Sequence, residues 1–211
     1  MKELTEASDA HYDATPRGYL ARARACLLRT EPAYLFYAAL ELRFCVEERQ
    51  DAYVQAQRRY MKSVPPAHKI GHQAAALRRI FNESKIFQVT FDFYDIPPVV
   101  FHFTPVTSAL QNAAERLGIL LHARDKAPSM ADPWWEETRD EILRVYRLAW
   151  TACQGELLSP MMMNKKGDAV GMIEITNSEN KAFTDRLMKK GAPFKAIVAY
   201  IESLPGRVPD L

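Results

Sequence analysis

The sequence has little of what catalytic and cofactor-binding proteins usually display in their primary structure. It has no glycine-rich phosphate loop, no nucleophile elbow around a serine and no cysteine spacing typical of a zinc site. No window approaches the roughly 18 uninterrupted apolar residues that a membrane span needs. Residues 1–13 are polar and lack the apolar region of a secretory signal. We therefore predict a soluble protein with no cofactor, no bound metal and no membrane contact.

Charge and cysteine content indicate which partners and which cellular compartment to expect. The 28 basic and 26 acidic residues leave a net charge of +2, so global charge alone predicts no polyanionic partner. The three cysteines, Cys26, Cys45 and Cys153, are widely spaced and fall in or near predicted helices. An odd number of such cysteines favours free thiols in a reducing compartment, and hence a cytoplasmic protein.

The most informative segment is a predicted helix over residues 32–64. Its first half is apolar almost all the way round, yet it contains Glu41 and Arg43. A helix with apolar residues on every side is expected to be enclosed by others. The segment therefore predicts a mainly α fold, a helical bundle around one long central helix.

Proline positions indicate where the helices begin. Pro16, Pro32, Pro105 and Pro133 each stand at a plausible first helical position, mostly after a residue that can cap a helix. The predicted helices span 16–29, 32–64, 69–83, 105–124 and 133–155, with a break near residues 50–52 as an option for the second.

Two short segments between the third and fourth helices alternate with the period of a strand. Apolar and polar residues alternate over 87–93, Val99, Phe101 and Phe103 recur at every second position, and a proline-containing turn lies between at 95–98. This predicts an antiparallel hairpin, 86–104, with residues 169–176 as a candidate third strand. We expect one helical domain, 1–155, and an α/β appendage, 156–211, packed on it, with helices near 178–190 and 193–203.

Arg116 and His122 are the first candidates for catalysis. A histidine can move the proton of an RNA 2′-hydroxyl, and an arginine can hold the phosphate and its developing charge. Six positions on an unbroken helix separate the two side chains by about 120°. They would therefore meet only if the helix loosens, for example at Gly118, or if two protomers share the site. The alternative is that Arg116 is a solvated helix residue and His122 lies near a helix C-terminus, where positive charge is favoured.

Glu41 and Arg43 are supporting candidates. They would orient a catalytic group or ligand if they pointed into a cleft. The alternative is a buried polar network that fixes helix register, which the spacing of Arg43 and Glu47 also fits.

Residues 52–82 contain no acidic residue, which suggests a surface for RNA or another anion. Such a gap also occurs by chance in a chain of this composition. His68 and His72, four residues apart, would share a helix face, but no third metal ligand is identifiable. The phosphate-binding candidates are Arg58, Arg59, Lys62, Lys69, Arg78 and Arg79.

Two segments resemble one family. ARARACLLRTEPAYLFYAALELRFCVEER is similar to the paired N-terminal helices of HEPN-type domains (higher eukaryotes and prokaryotes nucleotide-binding). ERLGILLHA resembles the later helix that carries their arginine-to-histidine motif, and it aligns Arg116 and His122 with that motif. Leu117 stands where active members have a polar residue, which favours a non-catalytic member.

The resemblance implies a dimeric helical bundle that, in active members, is a metal-independent ribonuclease with arginine and histidine meeting across the dimer. It therefore predicts a homodimer that binds or cleaves RNA in a bacterial stress or defence role. The alternative is a non-catalytic regulatory subunit whose helices bind another protein.

Overall fold

The computed structural model describes residues 12–80, 85–93, 96–122, 128–160, 162–163, 169–170 and 194–209. In these ranges the chain is mainly α with a small antiparallel sheet. None of the described helices is both long enough and apolar enough to cross a membrane. The helices are α1 (Pro16–Leu27), α2 (Ala33–Ala56), α3 (Ile70–Arg78), α4 (Ser108–Leu120) and α5 (Trp134–Ala152), and a short 3₁₀ helix (Arg58–Tyr60) follows α2.

Threonine caps fix the starts of α1 and α4. The Thr15 hydroxyl accepts the Gly18 N–H at 3.1 Å, which places Pro16 at the first helical position as predicted. The Thr107 hydroxyl likewise accepts the Leu110 N–H at 3.2 Å. The predicted start of α4 at Pro105 is therefore wrong, because the side chain that caps the helix lies two residues later.

Helix α2 contacts all four other helices but is not enclosed on every side. Its outer side carries an apolar stripe, Tyr37, Leu40 and Phe44, whose exposed fractions are 56%, 36% and 36%. The segment is apolar almost all the way round because one face is buried in the protein and another face carries apolar residues that are exposed.

Helix α2 is also shorter than predicted. It runs without a break past residues 50–52 and ends at Ala56, so the predicted end at residue 64 is wrong. The Gln57 N–H bonds to the carbonyls of both Tyr53 and Val54, and this tightens the last turn into the 3₁₀ helix that follows.

The predicted hairpin is confirmed by strands β1 (Ile86–Phe93) and β2 (Ile96–Phe103), which pair antiparallel. Alternate residues of both strands are buried, as the period of two requires. The Phe103 ring lies 5.4 Å from the Tyr53 ring, so this face of the hairpin packs on α2. The buried set is Phe87, Val89, Phe91, Phe101 and Phe103.

The third strand of this sheet is β5 (Phe194–Ile201), which pairs antiparallel with β1 along its whole length. The predicted helix at 193–203 is therefore wrong. The segment is rich in β-branched and aromatic residues, and pairing with β1 satisfies its backbone along one edge.

The candidate third strand, 169–176, does not join the hairpin in its described part. Strands β3 (Met162–Met163) and β4 (Ala169–Val170) pair with each other in a separate two-stranded ladder. The predicted helix at 178–190 lies outside the described residues.

Candidate functional site

Arg116 reaches from α4 to α5, where a carboxylate holds it. Its Nη2 and Nε atoms lie 2.9 and 3.2 Å from Glu141 Oε1. Arg144 binds the same carboxylate, at 2.7 Å to Oε1 and 2.8 Å to Oε2. Hydrogen bonds from Arg144 and then Arg116 lower the pKa of Glu141 to about 2. Arg116 is thus held at the surface by an acid that it shares with Arg144.

An open cleft of about 430 Å³ lies between α4 and α5 beside this ion pair. The buried side chains of Leu117 and Ile142 line it, together with polar residues and Trp134. Such a mixture of apolar and polar lining can accept a small molecule or part of a partner protein. The lining residues are Arg116, Leu117, Ile119, Leu120, Trp134, Glu137, Thr138, Glu141 and Ile142.

His122 lies just beyond the end of α4 and is exposed. Its backbone N–H donates to the Ile119 carbonyl at 3.3 Å, so the chain is still turning at this point. His122 is not among the residues that line the cleft of Arg116. Helix α4 is continuous through Gly118, so the loosening that would bring the two side chains together within one chain does not occur there.

Arg43 reaches from α2 to Gly118 of α4. Its guanidinium lies so close to Gly118 that a Cβ at that position would collide with it. The Arg43 Nε also donates to Glu47 Oε1 at 2.8 Å, as the predicted spacing suggested. The Arg43 guanidinium therefore occupies the space that a side chain at position 118 would need.

Glu41 faces the opposite flank of α2, because two positions on a helix differ by about 200°. Its Oε2 accepts from Arg22 Nε at 2.9 Å. The Arg22 guanidinium also lies 4.0 Å from the centre of the Tyr12 ring. Glu41 thus contacts α1, whereas Arg43 contacts α4, and their assignment to one catalytic site stays a prediction.

The six predicted phosphate-binding cations lie in the 3₁₀ helix after α2, in the loop that follows it and at both ends of α3, and all are exposed. None forms an ion pair with a carboxylate in the described part of the chain. Two of them make weak contacts: the Arg59 guanidinium lies 4.7 Å from the Tyr60 ring, and Arg78 Nη1 lies 3.3 Å from Gln111 Oε1. These cations are therefore available to an anionic partner.

His68 and His72 do not share a helix face, because α3 begins at Ile70 and only His72 lies within it. Both are exposed. No group of three potential metal ligands occurs among the residues whose placement is described.

A buried polar node at the end of α5 was missed by the sequence analysis. Arg49, only 8% exposed, donates from Nε to the Ala152 carbonyl at 2.9 Å and from Nη2 to the Gly155 carbonyl at 2.6 Å. Thr104 Oγ1 donates to the Ala152 carbonyl at 2.8 Å and accepts the Gly155 N–H at 3.0 Å. These contacts satisfy carbonyls that the helix end leaves without an intrahelical partner. The sequence did contain a signal for the burial of Arg49, because it lies three residues after Val46 and therefore near the buried face of α2.

The chain matches no known family model, no curated protein and no solved structure.

Proposed function

We propose that this chain is an RNA-binding module with a HEPN-like helical bundle around α2, and that its cationic surface binds the phosphate backbone. One observation carries the proposal: six cations between Arg58 and Arg79 are exposed, and none of them forms an ion pair with an acid in the described structure. When unpaired arginine and lysine side chains bind phosphates, the counterions condensed on the nucleic acid are released, and this release favours association.

Cleavage has less support than binding. Glu141 already holds Arg116, and His122 does not line the cleft beside that pair. A site shared by two protomers would still join an arginine and a histidine. The proposed activity is therefore RNA binding, with cleavage as a property to be tested separately.

The binding proposal is tested with a fluorescent single-stranded RNA and a pair of matched double variants. Arg58→Glu with Arg79→Glu should weaken binding by about tenfold or more. It should also flatten the dependence of log affinity on log salt by roughly 0.7 for each phosphate that the variant no longer binds. Arg147→Glu with Lys195→Glu makes the same charge change at exposed positions of α5 and β5. Equal weakening by both pairs would show that only net charge matters and would contradict the assigned surface.

Cleavage is tested by incubating total RNA with the protein in EDTA, alongside His122→Ala and Arg116→Ala. Loss of cleavage in both variants would support the shared-site reading. Cleavage that survives in His122→Ala, or none in the wild type, would remove it without affecting the binding proposal.

The exposed stripe on α2 favours a second candidate, a protein-interaction subunit that pairs with another copy of itself. Tyr37, Leu40 and Phe44 lie on one side of the helix and are at least 36% exposed, and contiguous apolar surface of this kind commonly marks an interface. Sedimentation analysis should give a dimer for the wild type and a monomer for Leu40→Glu. A monomeric wild type would contradict this candidate.

A further inference from the structure

Two of the three cysteines lie against each other at the end of α5. Cys45 is in the middle of α2 and Cys153 is the residue that caps α5. Their sulfur atoms are 3.4 Å apart, and both thiols are reduced and almost fully buried. A disulfide requires the sulfurs to lie about 2 Å apart, so an approach of roughly 1.4 Å would join them.

The surroundings of the pair make one sulfur the better nucleophile. The hydrogen bond with Cys45, followed by the nearby charges of Arg49 and Arg17, lowers the pKa of Cys153. The same contact, together with burial, raises the pKa of Cys45. The pair therefore favours a thiolate on Cys153 with Cys45 as its proton-bearing neighbour.

An exposed side chain reaches the end of α5 from α1, because Arg17 donates from Nε to the Cys153 carbonyl at 3.0 Å. Both sulfurs are buried, so their oxidation requires a local opening of the packing around them.

We infer that Cys45 and Cys153 form a modification site at which a hydroperoxide produces an intramolecular disulfide between α2 and the end of α5. The site is separate from the cationic surface, so it does not depend on RNA binding.

The chemistry balances as two displacements. The Cys153 thiolate attacks one peroxide oxygen and the O–O bond breaks. The leaving group is hydroxide from hydrogen peroxide or an alkoxide from an organic hydroperoxide, and it takes a proton to become water or an alcohol. Cys153 is then a sulfenic acid. The Cys45 sulfur attacks it, the S–O bond breaks and the hydroxyl group leaves as water with the Cys45 proton. The two sulfurs lose two electrons in total, and the peroxide gains them.

The test treats the reduced wild-type protein with hydrogen peroxide, quenches it in acid and counts thiols after unfolding. We expect two of the three thiols to disappear together, a monomer lighter by two hydrogens and a digest in which the Cys45 and Cys153 peptides are linked. Cys26, only partly buried, should remain alkylatable. Loss of Cys26 first, links between chains, or higher oxides on Cys153 without a link would overturn the inference.

Two variants refine the result. Cys26→Ser, the matched control, should form the same link as the wild type. Cys45→Ser should leave Cys153 as a sulfenic acid that a cyclic 1,3-diketone traps, and an unlabelled Cys153 would overturn its role as the attacking sulfur. The wild-type peptide map decides the existence of the site even if Cys45→Ser does not fold.

Discussion

Two arginines nine residues apart, Arg49 and Arg58, have opposite environments. Arg49 is buried and donates to two backbone carbonyls at the end of α5. Arg58 is exposed in the 3₁₀ helix and has no ion pair within the described ranges. The difference lies in what the fold places around each guanidinium, because the side chains are chemically identical.

The comparison separates arginines that hold the fold together from those that are available to a partner. A buried guanidinium that donates to backbone carbonyls is not accessible to a partner, and its removal takes a hydrogen bond from each of those buried oxygens. Arg116 and Arg43 lie between the extremes, because each is partly exposed and paired with one carboxylate. The four residues form a series that mutation can test.

The largest expected effect is that of Arg49→Met. Two buried hydrogen bonds to a charged donor would be removed, and the carbonyls of Ala152 and Gly155 would lose that donor, so the free energy of unfolding should fall by about 3 kcal/mol. Arg58→Met, the matched control, should change it by no more than roughly 0.5 kcal/mol. Urea unfolding measures both. Similar decreases in the free energy of unfolding for the two variants would contradict the distinction between a structural Arg49 and an available Arg58.

The sequence was sufficient for elements whose signals are local. The cap at Thr15 and the alternation in the hairpin depend only on neighbouring residues, and both predictions are confirmed. β5 shows the limit. A helix was predicted at 193–203, whereas a strand forms there because β1 offers it a whole edge. That edge is created by residues about a hundred positions earlier and is invisible in the local pattern.

The candidate site was harder to predict for the same reason. Arg116 could be identified as an interesting residue, but its pairing with Glu141 joins two helices that are separate in sequence. The contact of Arg43 with Gly118 and the contact of Cys45 with Cys153 are likewise tertiary. Residue type and spacing selected candidates, and only helix packing decided which of them meet.

A smaller effect is expected for Glu141, the acid that holds Arg116. Its pKa in the folded protein, about 2, lies below the ordinary value of 4.5. Its contribution is therefore complete above the ordinary pKa and is lost as pH falls towards 2. Because the pair is at the surface, solvent screening reduces this contribution to about 1 kcal/mol. The stability gap between wild type and Glu141→Gln should be that large at pH 7 and close to zero near pH 2.

Glu115→Gln is the control for this pH dependence. Glu115 is exposed on α4 and forms no ion pair with a residue the structure describes. The difference in the free energy of unfolding between wild type and Glu115→Gln should be small both at pH 7 and near pH 2. A gap for Glu141→Gln that persists at low pH would mean that the amide loses packing and not charge.

The smallest expected effect is a coupling between Arg43 and Gly118. Gly118→Ala should stabilise α4 by about 1 kcal/mol through helix propensity, but only if the new methyl group has room. With Arg43 present, the guanidinium must move from its place against α4. The gain should therefore be about 0.5 kcal/mol smaller in wild type than in an Arg43→Ala background. Unfolding of the four proteins of the cycle measures this difference. If the gain is the same in both backgrounds, Arg43 moves away without cost and belongs with the available arginines such as Arg58.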